Sequence, residues 1–201
     1  MLRVGLTGGL ATGKSFVGAV LAELGCRVVQ ADELGHAVLE PGGEAYAPVV
    51  ERFGGEIVDD DGRIERKRLA AIVFNDAGKL QLLNSLVHPA VVEREEAWMQ
   101  QVEDADPSAI AVVEAAILIE TSSYRRFHKL VLAVCSEAQQ IERAMARDGA
   151  PREQVLERLR RQMPLQEKKK FADYVIDTSG TTDETIEQVR RLYESLRSEN
   201  V

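Results

Sequence analysis

An α/β fold, with a parallel sheet flanked by helices, is predicted by three features of this 201-residue sequence. Short apolar runs alternate with helical patterns along the chain, the arrangement that builds parallel sheets. The first run passes directly into a glycine-rich loop and then a helical pattern. A long stretch of helix separates the second run from the third, and a short basic helical pair follows the fourth.

Leu2-Arg3-Val4-Gly5-Leu6-Thr7 is short, mostly apolar and bounded by glycine, as a strand inside a parallel sheet would be. The loop after it runs Gly8-Gly9-Leu10-Ala11-Thr12-Gly13-Lys14-Ser15-Phe16. Gly8, four residues, then Gly13-Lys14-Ser15 is the spacing of a phosphate-binding loop, or P-loop. Glycine lets the backbone turn its N–H groups inward around a polyphosphate without a Cβ clash. Lys14 then presents an ammonium to the β- and γ-phosphates, and the Ser15 hydroxyl is a ligand for Mg²⁺. Phe16, Val17, Val20, Leu21 and Leu24 follow in helical period, so a helix N-terminus adds its dipole to the same anion. This context predicts nucleotide binding and a fold of the P-loop NTPase type.

Cys26 to Ala31 reads as the second strand, with Asp32 at its carboxyl end. Ligands of open α/β sheets sit outside that end, which places Asp32 beside the loop as a base for phosphoryl transfer. It also reads as the N-cap of a helix over Glu33 to Leu39. Helical patterns then dominate over Glu44 to Phe53, Arg66 to Phe74, Ala77 to Leu86 and Pro89 to Val102. About seventy residues of helix between core strands suit a substrate-binding lobe. His88 is a candidate ligand there, or only the residue ahead of a helix that Pro89 starts. Trp98 has the period of a core residue.

Ala109 to Glu114 reads as the third strand. Glu114 at its carboxyl end suits a role at the metal or its water, or in orienting substrate; pairing with a local arginine is the plainer role. Glu120 is a weaker candidate. Lys129 to Cys135 is the fourth strand. Gln140 to Arg147 and Arg152 to Gln162 follow as two helices, with Arg143 and Arg147 spaced i, i+4 and Arg158 and Arg161 on the second. Arginines on two short helices describe a lid that closes on the transferring phosphoryl. Lys168-Lys169-Lys170 reads as a solvated charged run. Tyr174 to Ile176 is a last strand, and Thr182 to Leu196 a final amphipathic helix.

The net charge of −8 argues against general nucleic-acid binding. Residues 137–170 nevertheless hold nine Lys/Arg against six Asp/Glu, a local +3 that suits a small anionic ligand. No apolar run approaches the ~20 residues of a membrane span, and no signal peptide precedes the first strand. Cys26 and Cys135 lie far apart, each in a predicted strand, so a cytoplasmic protein with two buried thiols is expected, a monomer with oligomerisation left open.

Several stretches together resemble the dephospho-CoA kinase family, which performs the last step of coenzyme A synthesis. They are the loop Thr7 to Ser15, Ala31-Asp32, Leu83-Asn84-Ser85-Leu86-Val87-His88-Pro89, and Gln140 with Arg143 and Arg147. The run from Arg158 through Gln162-Met163-Pro164 to Lys168, and Ala172-Asp173-Tyr174-Val175-Ile176-Asp177, are similar too. The resemblance implies ATP-dependent phosphorylation of the ribose 3′-hydroxyl of dephospho-CoA, with Mg²⁺ as cofactor. It implies a nucleotide core over 1–33, 105–136 and 171–201, a CoA-binding lobe over 34–104 and a lid over 137–170. Asp32 would deprotonate or orient the 3′-hydroxyl, and Lys14, Arg143 and Arg147 would steady the phosphates. His88, Glu114 and Arg158 are the further substrate-binding candidates.

The sequence departs from the family pattern in places. Gln30 stands where another acid is usual, Phe16 where threonine is frequent, and Thr178 where asparagine is usual. Glu114-Ala115-Ala116-Ile117-Leu118 replaces a commoner Asp-x-Pro-Leu-Leu. A nucleoside-monophosphate, shikimate or gluconate kinase on the same core would need a smaller acceptor pocket. A GTPase switch would want an Asn-Lys-x-Asp run, which is lacking.

Overall fold

The computed structural model describes residues 1–74 and 76–200. The chain divides into two compact units, one of Met1–Val29 with Gln101 onward, the other Gln30–Gln100.

In the first unit the chain runs β1 (Leu2–Gly8), α1 (Lys14–Glu23) and β2 (Arg27–Gln30), which ends at the boundary. After the second unit come β3 (Ile110–Glu114), β4 (Lys129–Val134), α6 (Glu137–Asp148), α7 (Arg152–Arg160), α8 (Leu165–Lys168), β5 (Tyr174–Asp177) and α9 (Thr182–Glu199). The five strands lie in the order β2-β3-β1-β4-β5. β1 is parallel to both its neighbours, with Leu2 opposite Ile110 and Val4 opposite Lys129.

A strand covered on both faces has no polar side to show, which is why β1 and β3 read as unbroken apolar runs. Val4, Leu6, Val112 and Val131 are fully buried. They pack with Val17 and Leu21 of α1 and with Val189, Leu192 and Leu196 of α9. Capping boxes start α6 at Ser136 with Gln139, and α9 at Thr181 with Glu184.

The second unit holds α2 (Ala31–Ala37), α3 (Tyr46–Phe53), α4 (Arg66–Phe74) and most of α5 (Ala77–Ala105). Its core is Val38, Val49, Phe53, Ile57, Leu69, Val73 and Ala90. Val58 and Ile64 pair across the turn at residues 59–62.

The structure corrects several sequence expectations. The two helices expected on either side of His88 are one 29-residue helix with Pro89 inside it. Proline removes one backbone donor there, but buried contacts at Ala90, Glu95 and Met99 carry the helix through. Asp32 is not an N-cap: α2 begins at Ala31, and Asp32 lies in its first turn. Trp98 is half-buried, and the fully buried residue beside it is Met99. Both cysteines are buried and free, but they flank strands rather than lying within them. Lys168 is the largest departure. It is not solvated at all, with 0 % exposure.

Candidate active site

The loop between β1 and α1 is shaped by what its carbonyls do. Lys168 Nζ donates to Gly8 O at 3.0 Å, Gln140 Nε2 to Leu10 O at 2.7 Å, and Thr178 Oγ1 to Thr12 O at 2.8 Å. The C=O and N–H of a trans peptide point in opposite directions. With those three carbonyls engaged by side chains, the N–H groups of Gly9, Ala11 and Gly13 in the same peptides point the opposite way. Gly13 has φ +78°, a left-handed conformation that glycine adopts without strain, and no side chain caps α1 after it. The result is an anion cradle at a helix N-terminus.

Glu114 ends β3 one strand away and is 3 % exposed. Lys14 Nζ donates to its Oε1 at 2.5 Å, and Ser15 Oγ donates to the same oxygen at 2.6 Å. The carboxylate fits because residue 18 has no side chain: a Cβ on Gly18 would lie 2.9 Å from Glu114 Oε2. Lys14, Ser15 and Glu114 are therefore one hydrogen-bonded cluster. Among the described residues no group of three or more His, Cys, Asp or Glu could hold a metal ion. The Ser15 and Glu114 oxygens nevertheless fit Mg²⁺, a hard cation usually bound through one or two protein oxygens plus substrate phosphates and water.

The arginines of α6 and α7 go separate ways. Arg143 donates from Nη1 to Thr178 Oγ1 at 3.0 Å and from Nη2 to Thr178 O at 2.7 Å, so it braces the residue that braces Thr12. Arg147 and Arg158 both pair with Asp148, Arg147 Nε at 2.7 Å and Arg158 Nη1 at 2.5 Å. Hydrogen bonds from those two guanidiniums hold the Asp148 carboxyl well below the usual carboxylate range. Phe16 lies on the first turn of α1 and is exposed.

Asp32 and His88 belong to the second unit. Asp32 is exposed, and the half-buried His88 has its pKa lowered by burial. His36, which no sequence pattern singled out, meets Arg66 Nη1 through its Nε2 at 2.7 Å.

Sequence reasoning assigned no site role to three contributors. Lys168 also donates to Ala116 O at 3.0 Å and pairs with Glu120 Oε1 at 2.9 Å, which also explains Glu120. Gly18 looks like any small residue in an apolar helix. Thr178, which departs from the family pattern, donates to Thr12 O and accepts from Arg143.

A family model described as dephospho-CoA kinase matches residues 2–184. A dephospho-CoA kinase of Aquifex aeolicus is 39 % identical over 196 residues, covering 98 % of each chain. The chain belongs to the dephospho-CoA kinase family. Members of that family catalyse the last step of coenzyme A biosynthesis. The kinase is also 38 % identical to a dephospho-CoA kinase domain-containing protein of Danio rerio, over 98 % of this chain and 86 % of that one. Its fold matches a crystal structure from Thermus thermophilus with TM-score 0.82 at 31 % identity, covering 96 % of both chains. A dephospho-CoA kinase from Campylobacter jejuni, with TM-score 0.65 at 22 % identity over 96 % of both chains, shares the fold. No helix of the kinase, among the described residues, is long and apolar enough to cross a membrane.

Proposed function

We propose that the cradle Gly8 to Ser15 holds the triphosphate of ATP and that the kinase transfers its γ-phosphoryl to the ribose 3′-hydroxyl of dephospho-CoA. The 3′-oxygen bonds to the γ-phosphorus as the bond to the β,γ-bridging oxygen breaks, leaving ADP; the hydroxyl proton passes to the Asp32 carboxylate. The supporting observation is the set of loop carbonyls engaged by side chains, which leaves amide N–H groups of the same peptides to meet phosphate charge.

Lys14 neutralises the β- and γ-phosphates in this reading, and Gly9, Ala11, Thr12 and Phe16 complete the ATP contacts; Leu10, expected among them, has its N–H and C=O both engaged by glutamines and shapes the loop instead. Ser15 and Glu114 would hold Mg²⁺, which supplies neutralising charge to the phosphates. For Lys14 to reach phosphate it exchanges the Glu114 carboxylate for another anion, so Glu114 serves as its resting partner. Arg143 and Arg147 steady the transferring group, with 137–170 as the lid. His88, Arg158 and the lobe 34–104 bind dephospho-CoA, and 1–33, 105–136 and 171–201 form the nucleotide core. The two free cysteines, one with its thiol pushed up to about 12 by burial, suit a reducing compartment such as the cytoplasm.

An ADP-coupled assay with dephospho-CoA, AMP and shikimate as acceptors tests the substrate, with a mass measurement of the product. Turnover confined to dephospho-CoA supports the reading; preference for another acceptor ends it. Asp32→Asn should lower kcat by about 10²–10⁴-fold while the KM for ATP stays close to the parent's. Full kcat in that variant removes Asp32 as the base.

A further inference from the structure

We propose that Gln140 and Gln162 are positioning residues for ATP, gripping Leu10 through the two peptides that flank it and so setting the shape of the phosphate cradle. The proposal rests on the reading of Gly8 to Ser15 as that cradle. Gln140 Nε2 donates to Leu10 O at 2.7 Å, and the Leu10 N–H donates to Gln162 Oε1 at 2.8 Å. One glutamine lies in α6 and the other just beyond α7, so both come from the helical pair.

Two further observations point the same way. The Leu10 side chain is buried with Ile141 and Ala144 of α6 and Val155 of α7, apart from the main core. Gly9 leaves room for the grip, since a Cβ there would lie 2.7 Å from Gln140 Nε2. The next residue shows why a grip is needed. Ala11 has φ +54°, a left-handed conformation that alanine adopts only at a cost. A strained residue persists where its surroundings over-determine it. Holding both polar groups of Leu10 does that, and keeps the Ala11 N–H aimed at phosphate. Gln140 in the first turn of α6 and Gln162 just past α7 both lie at the base of the helical pair, so the grip ties the cradle to the root of the lid and nucleotide affinity depends on it.

The two grips use opposite chemistry, and this gives the test. Position 140 needs a donor, whereas position 162 needs an acceptor. Gln140→Glu, Gln140→Met, Gln162→Glu and Gln162→Met are assayed with ATP and dephospho-CoA varied in turn, alongside thermal melts. Both changes at 140, and Gln162→Met, should raise the KM for ATP by about tenfold or more, because each leaves a loop amide group unsatisfied. Gln162→Glu keeps the acceptor and should recover to within about threefold of the parent. The KM for dephospho-CoA should move less than the KM for ATP in every variant.

A merely structural role predicts the reverse at 162, since burying a carboxylate costs more than burying a thioether. Gln162→Glu no better than Gln162→Met, or an unchanged KM for ATP in Gln140→Met, overturns the proposal. Should Gln140→Glu not fold, Gln140→Met alone decides position 140. Lys14→Ala separates the two readings. If it abolishes turnover while the glutamine variants are inert, the grip is wrong and the cradle stands. If it turns over like the parent, both fall.

Discussion

Gly18 shows how much a missing side chain can contribute. Ala is worth about 1 kcal/mol more than Gly within a helix, so Gly18→Ala should hold or raise the melting temperature. Its Cβ would lie 2.9 Å from Glu114 Oε2 and push the carboxylate away from Lys14 and Ser15. We expect kcat to fall by about tenfold or more in a variant that melts no earlier, since small misplacements at a reacting centre are costly. Unchanged kcat would detach Glu114 from the chemistry. Lys168 is the opposite case, a full positive charge with no exposure, satisfied by two carbonyls and the Glu120 carboxylate. Lys168→Met strands all three acceptors and should cost about 3 kcal/mol in urea unfolding, with Glu120→Gln milder because an oxygen remains for Lys168. A loss below about 0.5 kcal/mol would mean that water replaces the ammonium. Neither role could be read from the chain. A lysine in a run of three has the pattern of a solvated face, and only the fold reveals which of the three turns inward.

At the scale of elements, α5 carries the clearest pH dependence. Burial lowers the pKa of His88 below its ordinary 6.5, so the unfolded chain binds the proton more readily than the folded one. The stabilisation from keeping His88 neutral is complete above about pH 6.5 and is lost as pH falls through that value towards the folded pKa. His88→Gln should therefore flatten the stability profile between about pH 7 and pH 5, measured by urea unfolding at each pH. The same slope in both proteins would contradict this. The same helix marks where sequence reasoning fell short. Pro89 was legible as a helix start because proline suits a first turn, and nothing local says that a helix already runs into it. Packing at Ala90 and Met99 decides, and packing is not written in the local pattern. The loop from β1 to α1 was legible because its function needs particular residues at particular spacings. Its supports were harder to see, since Gln162 and Thr178 act across more than 150 residues of sequence.

For the whole molecule, β1 has the most at stake. Leu6 is fully buried between α1, β3 and β4, and Leu6→Ala should cost about 2–5 kcal/mol. Val175 on the edge strand β5 is 42 % exposed, and truncating it should cost under about 1 kcal/mol. Comparable losses in thermal unfolding would argue against the sheet order. That order was foreseeable only in part: alternating strands and helices announced a parallel sheet, but strand sequence says little about which neighbour each strand finds. Here the first strand made pairs with one that starts at Ile110 and another that starts at Lys129. A ribosome adding about 5–20 residues per second therefore leaves an apolar ribbon waiting on the order of 5–20 s for its first partner. During that interval the nascent chain is open to chaperones, and no nucleotide can help it, because Gln140, Gln162, Lys168 and Thr178, which hold the loop in shape, have yet to be translated.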